Sequence, residues 1–200
     1  MTVLPLDALA DRVRAAAPSA GSTRVVAIDG PGGSGKSTLA QRLSTVLAAP
    51  VLHMDDLYPG WHGLAAGAPL LHDQVLRPLA HGQPGRYRRY DWSLGAYAEW
   101  RSVPIVDVLV VEGCGSGSRI VMPYLAMLVW VEAARDVRFA RGVERDGEAS
   151  LPMWRDWAAQ EDVVFAAERT RDRADLRIDG DPSVDHDPAR EVVLLDRVVS

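Results

Sequence analysis

A single cysteine and no asparagine occur in a chain of 200 residues, and only one lysine stands beside 21 arginines. Cys114 alone cannot form an internal disulfide, which points to a reducing, cytoplasmic setting. The longest apolar run, Tyr124 to Val131, falls far short of the roughly 20 residues that span a bilayer, and no basic segment followed by an apolar stretch opens the chain as a signal peptide would. Positive charge is also in deficit. Lys and Arg total 22 against 27 Asp and Glu, a net charge of −5, so the whole-molecule field does not attract nucleic acid or an anionic membrane. The expected partner is a small molecule, with neither nucleic acid nor membrane involved; the oligomeric state is not set by the sequence. Arginine is abundant enough to carry little information, whereas the position of Lys36 carries a great deal.

Apolar positions alternate between two periods along the chain. Leu6 to Ala17 and Ser37 to Leu47 have helical spacing, as do Asp136 to Arg145 and Met153 to Arg171. Short β-branched runs at Arg24 to Asp29, Val51 to Met54, Ile105 to Val111, Tyr124 to Val131 and Ala174 to Ile178 read as strands, with an edge strand at Val192 to Leu195 and a short helix at Val75 to Ala80. Strands alternating with helices predict an α/β fold over residues 1–200: a parallel sheet of about five strands, helices on both faces and a short lid. Such a sheet presents its ligand crevice at the carboxyl ends of the strands. Gly60 to Gly67 and His81 to Gly95 read as loops on that side, and the acidic, turn-rich Asp179 to Ala189 as a solvated segment.

Gly30-Pro31-Gly32-Gly33-Ser34-Gly35-Lys36-Ser37 matches G-x-x-x-x-G-K-[ST] directly after a strand and directly before a helix. Glycines let successive N–H groups converge on phosphate oxygens, and the helix adds its free N–H groups and the positive end of its dipole. Gly30, Gly32, Gly33, Ser34, Gly35 and Thr38 are therefore expected to cradle phosphates, Lys36 to reach the β- and γ-phosphates, and Ser37 to ligate Mg²⁺. An Asn-Lys-x-Asp element for guanine cannot be built without asparagine, which favours ATP.

From about Val25 to Asp179 the chain resembles the uridine kinase-like branch of P-loop kinases, whose relatives act on pantothenate and ribulose phosphate. Met54-Asp55-Asp56-Leu57-Tyr58 is similar to that family's Asp-x-Phe-Tyr element. The resemblance implies that Asp55 takes the acceptor's hydroxyl proton and that Tyr58 lines the acceptor pocket; a strand-end turn or helix cap is the structural alternative for the Asp pair. Val110-Val111-Glu112-Gly113 resembles the strand that brings a carboxylate, here Glu112, to the metal. Arg138, Arg141, Arg145 and Asp146 keep the spacing of the family's lid helix, implying that Arg138 meets substrate while Arg141 and Arg145 cover ATP; the same spacing also suits a salt-bridged solvent face. Arg89-Tyr90-Asp91-Trp92 is similar to the acceptor-binding Tyr-Asp-Phe segment, which places Tyr90 and Trp92 on the acceptor. The family's nearby histidine is Gly95 here, its aspartate-rich segment is reduced to His72-Asp73, and its second lid arginine pair is missing. The implied activity is phosphoryl transfer from ATP to a small alcohol such as uridine or cytidine. A regulatory ATPase without a dedicated acceptor remains open, as does a gluconate- or shikimate-like kinase that would use Arg77, Arg86, Arg88 or Arg89.

Overall fold

The computed structural model describes residues 1–195. In chain order the elements are β1 (Thr2–Pro5), α1 (Leu6–Ala15), β2 (Arg24–Asp29), α2 (Lys36–Leu47), β3 (Val51–His53), α3 (Leu64–Leu71), α4 (Arg77–Ala80), β4 (Gly85–Asp91), β5 (Ala96–Val103), β6 (Val108–Glu112), β7 (Met127–Glu132), α5 (Arg135–Asp146), α6 (Leu151–Glu168), α7 (Thr170–Arg173), β8 (Leu176–Asp179) and β9 (Glu191–Leu194). Seven strands form one sheet in the order β1-β9-β8-β7-β2-β6-β3. The five from β8 to β3 are parallel, as expected from their βαβ spacing. Strands β9 and β1 extend the sheet antiparallel, so it is mixed rather than purely parallel.

Central strands buried on both faces are largely apolar, and all five residues of β6 are buried, with Glu112 at its carboxyl end the one charged residue. Side chains then divide by the two-residue period. Val26, Ile28 and Val110 pack with Leu9 and Val13 of α1 and Leu39 and Leu43 of α2. Val25, Leu109 and Val111 point the other way, into a core with Leu71, Leu76 and Trp157. Helix α1 buries Leu6, Leu9, Ala10 and Val13, the stripe its spacing predicts.

Three segments differ from expectation. Helix α3 starts within the expected loop Gly60 to Gly67 and passes into a π-helical turn over His72–Leu76. Pro78 has no N–H to return to Gln74, and Arg77 N–H reaches His72 instead, which widens the turn. The expected loop His81 to Gly95 contains β4, which pairs with β5 in a two-stranded antiparallel arm whose register shifts between Arg88 and Tyr90. Its strands mix arginine with aromatics and bury little beyond Tyr87 and Val103, so no clean apolar alternation marks them. The long helix expected from Met153 to Arg171 is interrupted at Arg169, whose φ of +51° is left-handed.

Candidate active site

The P-loop follows β2, whose last residue, Asp29, is wholly buried. Its carboxylate accepts from the N–H groups of Gly30 (2.7 Å), Gly115 (2.9 Å) and Gly117 (2.8 Å), fastening the P-loop to the turn after β6. Burial outweighs these bonds and raises its pKa to about 6. Gly30, at φ +139°, approaches Val131 so closely that a side chain would enter the Val131 carbonyl. Gly35 caps α2 in a left-handed conformation and no side chain caps that helix, so its first N–H groups are free to bind an anion. Lys36 Nζ donates to the Pro31 carbonyl at 2.8 Å. Burial opposes its charge, but nearby Glu112, Glu161 and Asp29 help hold its pKa above the ordinary lysine value.

Glu112 ends β6 beside this loop. Ser37 Oγ donates to its Oε2 at 3.1 Å, and His53 Nδ1 lies 2.6 Å from its Oε1. Burial pushes Glu112 up, yet the His53 bond and the Lys36 charge hold it below the usual carboxylate range, while the same bond raises His53. A serine hydroxyl and a carboxylate in contact are hard oxygen donors of the kind Mg²⁺ takes alongside phosphate oxygens and water. Among the described residues, no cluster of three or more His, Cys, Asp or Glu side chains is arranged to hold a metal unaided.

Asp55 and Asp56 separate at a 3₁₀ turn, Met54–Asp56, rather than by strand alternation. Asp55 lines a cavity of about 930 Å³ that it shares with Gly32, Gly33, Gly35, Lys36, Ser37, Thr38 and Glu112. Its side chain takes no hydrogen bond from any described residue. It opens to the cavity, but the surrounding walls displace bulk water, and this desolvation together with Glu112 raises its pKa against Lys36 and Arg145. Asp56 turns away to accept from Tyr87 Oη (2.8 Å) and Arg101 Nη1 (3.2 Å).

The aromatic wall is larger than the sequence suggested. Trp61, Trp92, Trp154 and Trp157 all line the cavity, and Trp61 stands edge-on to the other three at ring-centre distances of 5.4, 6.2 and 6.2 Å. Their indole N–H groups fix the neighbours: Trp92 donates to the Asp55 carbonyl (2.9 Å), Trp154 to Asp146 (3.0 Å) and Trp157 to Glu161 (2.8 Å). Glu161, buried on α6, also accepts from Gly32 N–H at 2.6 Å and from Cys114 Sγ at 3.2 Å, with Arg138 Nη1 at 3.4 Å. Trp154, Trp157 and Glu161 lie on one helical face, a spacing visible in the sequence but equally suited to plain core.

Three residues expected on the acceptor side stand back from the cavity wall. Tyr58 is buried, packs on Trp157 at 5.0 Å and donates to the Cys114 carbonyl at 2.6 Å. Tyr90 supports Trp92 edge-on at 5.5 Å. Arg138 is held by the Gly32 carbonyl (3.2 Å) and Glu161. Gly30 and Ser34 do not line the cavity, and the Ser34 hydroxyl is buried without a partner among the described residues. Arg141 and Arg145 do line the cavity. Arg141 bridges the Gly180 carbonyl (3.0 Å) and Asp181 (2.7 Å), whereas Arg145 closes bidentately on Asp146 (2.8 and 3.0 Å) with its guanidinium 5.4 Å over Trp154. The segment read as solvated also contributes: Gly180, Asp181, Pro182, His186 and Pro188 wall the end opposite Asp55. Arg77, Arg86, Arg88 and Arg89 line none of this cavity. Arg89 is engaged with Glu99 (2.7 Å) and Asp91 (2.8 Å), which leaves the gluconate- or shikimate-like reading without its arginines.

No protein-family model matches the chain, and no curated protein does. Among solved structures, a possible uridine kinase from Bacillus stearothermophilus superposes with a TM-score of 0.64 at 23% identity, covering 86% of this chain and 96% of that one. A protein from Silicibacter sp. TM1040 described as a candidate fructose transport system kinase gives 0.51 at 23% identity, covering 87% and 95%. Among the described residues no helix is long and apolar enough to cross a membrane. The sheet order, the P-loop between β2 and α2 and these superpositions together show that the chain has an α/β fold of the P-loop NTPase architecture.

Proposed function

We propose that this protein is an ATP-dependent kinase that phosphorylates the hydroxyl group of a small molecule. One observation carries the reading: a carboxylate without a hydrogen-bond partner, Asp55, faces an uncapped P-loop helix across one cavity. A nucleotide switch needs the loop and the helix but has no use for a free carboxylate in an aromatic pocket.

Each residue then has a definite task. The N–H groups at the start of α2 bind the phosphates, and Lys36 leaves the Pro31 carbonyl to meet the β- and γ-oxygens. Ser37 and Glu112 would hold Mg²⁺, which would offset phosphate charge. Asp55 orients the acceptor hydroxyl; its oxygen bonds to the γ-phosphorus as the bond to the ADP oxygen breaks, and the proton passes to the Asp55 carboxylate. Arg141 and Arg145 close over the nucleotide, whose base lies toward Gly180 and Pro182.

Uridine and cytidine, the acceptors implied by the resemblance, are the first to offer in an assay of acceptor-dependent ADP release. ATP–Mg²⁺ binding that survives Lys36→Ala, or ADP release that no hydroxyl compound stimulates, would sink the proposal; the latter would favour a regulatory ATPase.

A further inference from the structure

The walls around Asp55 narrow the chemistry of the acceptor. Planar bases are gripped best between parallel ring faces, in offset stacks. No such jaws occur here: Trp61 meets Trp92, Trp154 and Trp157 at interplanar angles of 73°, 65° and 87°. The rings touch one another and form the sides of a corner. A corner of mutually perpendicular indoles suits a compact, rounded group, and its quadrupoles favour one that is positively charged.

The charges agree with that shape. At this end the cavity presents Asp55, Glu112 and Asp146, against Lys36 and Arg145. Lys36 is enclosed by Glu112, Glu161 and Asp29 and belongs to the phosphates, while Arg145 is closed on Asp146. Glu112 is already engaged by Ser37 and His53. Asp55 is the carboxylate that takes no hydrogen bond and forms no salt bridge with any described residue; Lys36, Arg145 and His53 act on it only through space, and it stands beside the Trp92 indole that donates to its own carbonyl. Among the described residues no cation at this end is free to receive an acidic acceptor, since the arginines of the β4–β5 arm lie outside. A cation does occupy one face of the corner: the Arg145 guanidinium lies over Trp154.

Resting on the kinase reading above, we infer that the acceptor is an ammonium alcohol, a hydroxyl group on a short carbon link to a positively charged nitrogen that sits in the tryptophan corner. One Asp55 oxygen receives the hydroxyl hydrogen bond while the carboxylate charge faces the nitrogen. The transfer step is unchanged, with ATP as phosphoryl donor and the proton passing to Asp55.

Choline and its uncharged isostere 3,3-dimethylbutan-1-ol separate charge from shape. Calorimetric titration of the full chain, with ADP and Mg²⁺ present, should show choline binding at least fivefold more tightly than the isostere. Asp55→Asn, which breaks no hydrogen bond to the side chain, should erase that preference, and Trp61→Leu should weaken choline while leaving ADP affinity within twofold. Equal affinity for the two alcohols, no binding of choline, a preference that survives Asp55→Asn, or tighter binding of uridine than of choline would each overturn the inference. Nucleotide titration of the same samples keeps the two proposals apart. Absent ADP binding defeats the kinase reading, whereas normal ADP binding with no choline preference defeats the ammonium alcohol alone.

Discussion

Asp55 and Asp56 are adjacent, chemically identical and differently employed. Asp55→Asn should lower acceptor phosphorylation by ~10² to 10⁴, the range for loss of a general base, with ATP affinity retained. Asp56→Asn removes the charge that pairs with Arg101 and weakens the acceptor of the Tyr87 hydroxyl, so its cost should be mainly in stability, about 1–2 kcal/mol by chemical denaturation. Single-turnover rates in the reverse order would exchange their roles. Asp29 gives a pH signature. Its folded pKa, about 6, lies above the ordinary 3.8, so the folded chain holds this proton more tightly than the unfolded chain. Its contribution is full below about pH 3.8 and is lost as pH rises through about 6. Denaturation of wild type and Asp29→Asn across this range should give a difference curve that falls with rising pH. The phosphate residues were legible because backbone geometry leaves few alternatives to glycine at that loop. Glu161 was not: a buried Glu on an apolar helix face gives no sign of which N–H it will meet.

At the scale of elements, α5 is the moving part the geometry favours. Its one buried residue is Gly142, where a Cβ would come within 2.6 Å of the Trp154 ring, so the helix lies flat against that indole and is otherwise held by polar contacts of Arg138 and Arg141 rather than by an apolar face. Arg145 is exposed and pairs with its own neighbour, so Arg145→Ala should reduce turnover tenfold or more with a stability change under about 1 kcal/mol. Hydrogen exchange across Arg135–Asp146 should slow when ATP and acceptor are both present; equal protection with and without them would remove the lid. Helices α1 and α2 and the parallel strands could be read from periodicity, because burial of one stripe or two full faces leaves a pattern. The β4–β5 arm could not, because a ribbon solvated on most of its surface imposes none, and the π turn arises from a proline two residues beyond it.

For the whole molecule, nucleotide binding and folding are linked, since the cavity draws residues from β2 through β9 and exists only in the folded chain. ATP–Mg²⁺ at a hundredfold excess over Kd should add ~2.7 kcal/mol, raising Tm by several degrees, and Lys36→Ala should cancel most of that gain. An undiminished shift in the variant would dissociate the lysine from phosphate binding. Five parallel strands followed from the alternation of elements, but the antiparallel closure by β9 and β1 depends on a pairing between the two ends of the described chain that no local pattern announces. The β4–β5 arm has a different relation to the rest. It is tied to the turn after β3 through Tyr87 and Arg101 on Asp56, Trp92 on the Asp55 carbonyl and Tyr97 on the Leu57 carbonyl, while the phosphate loop belongs to the sheet. A change in the arm would therefore reshape the wall beside Asp55 and leave the phosphate loop, anchored in the sheet, where it is.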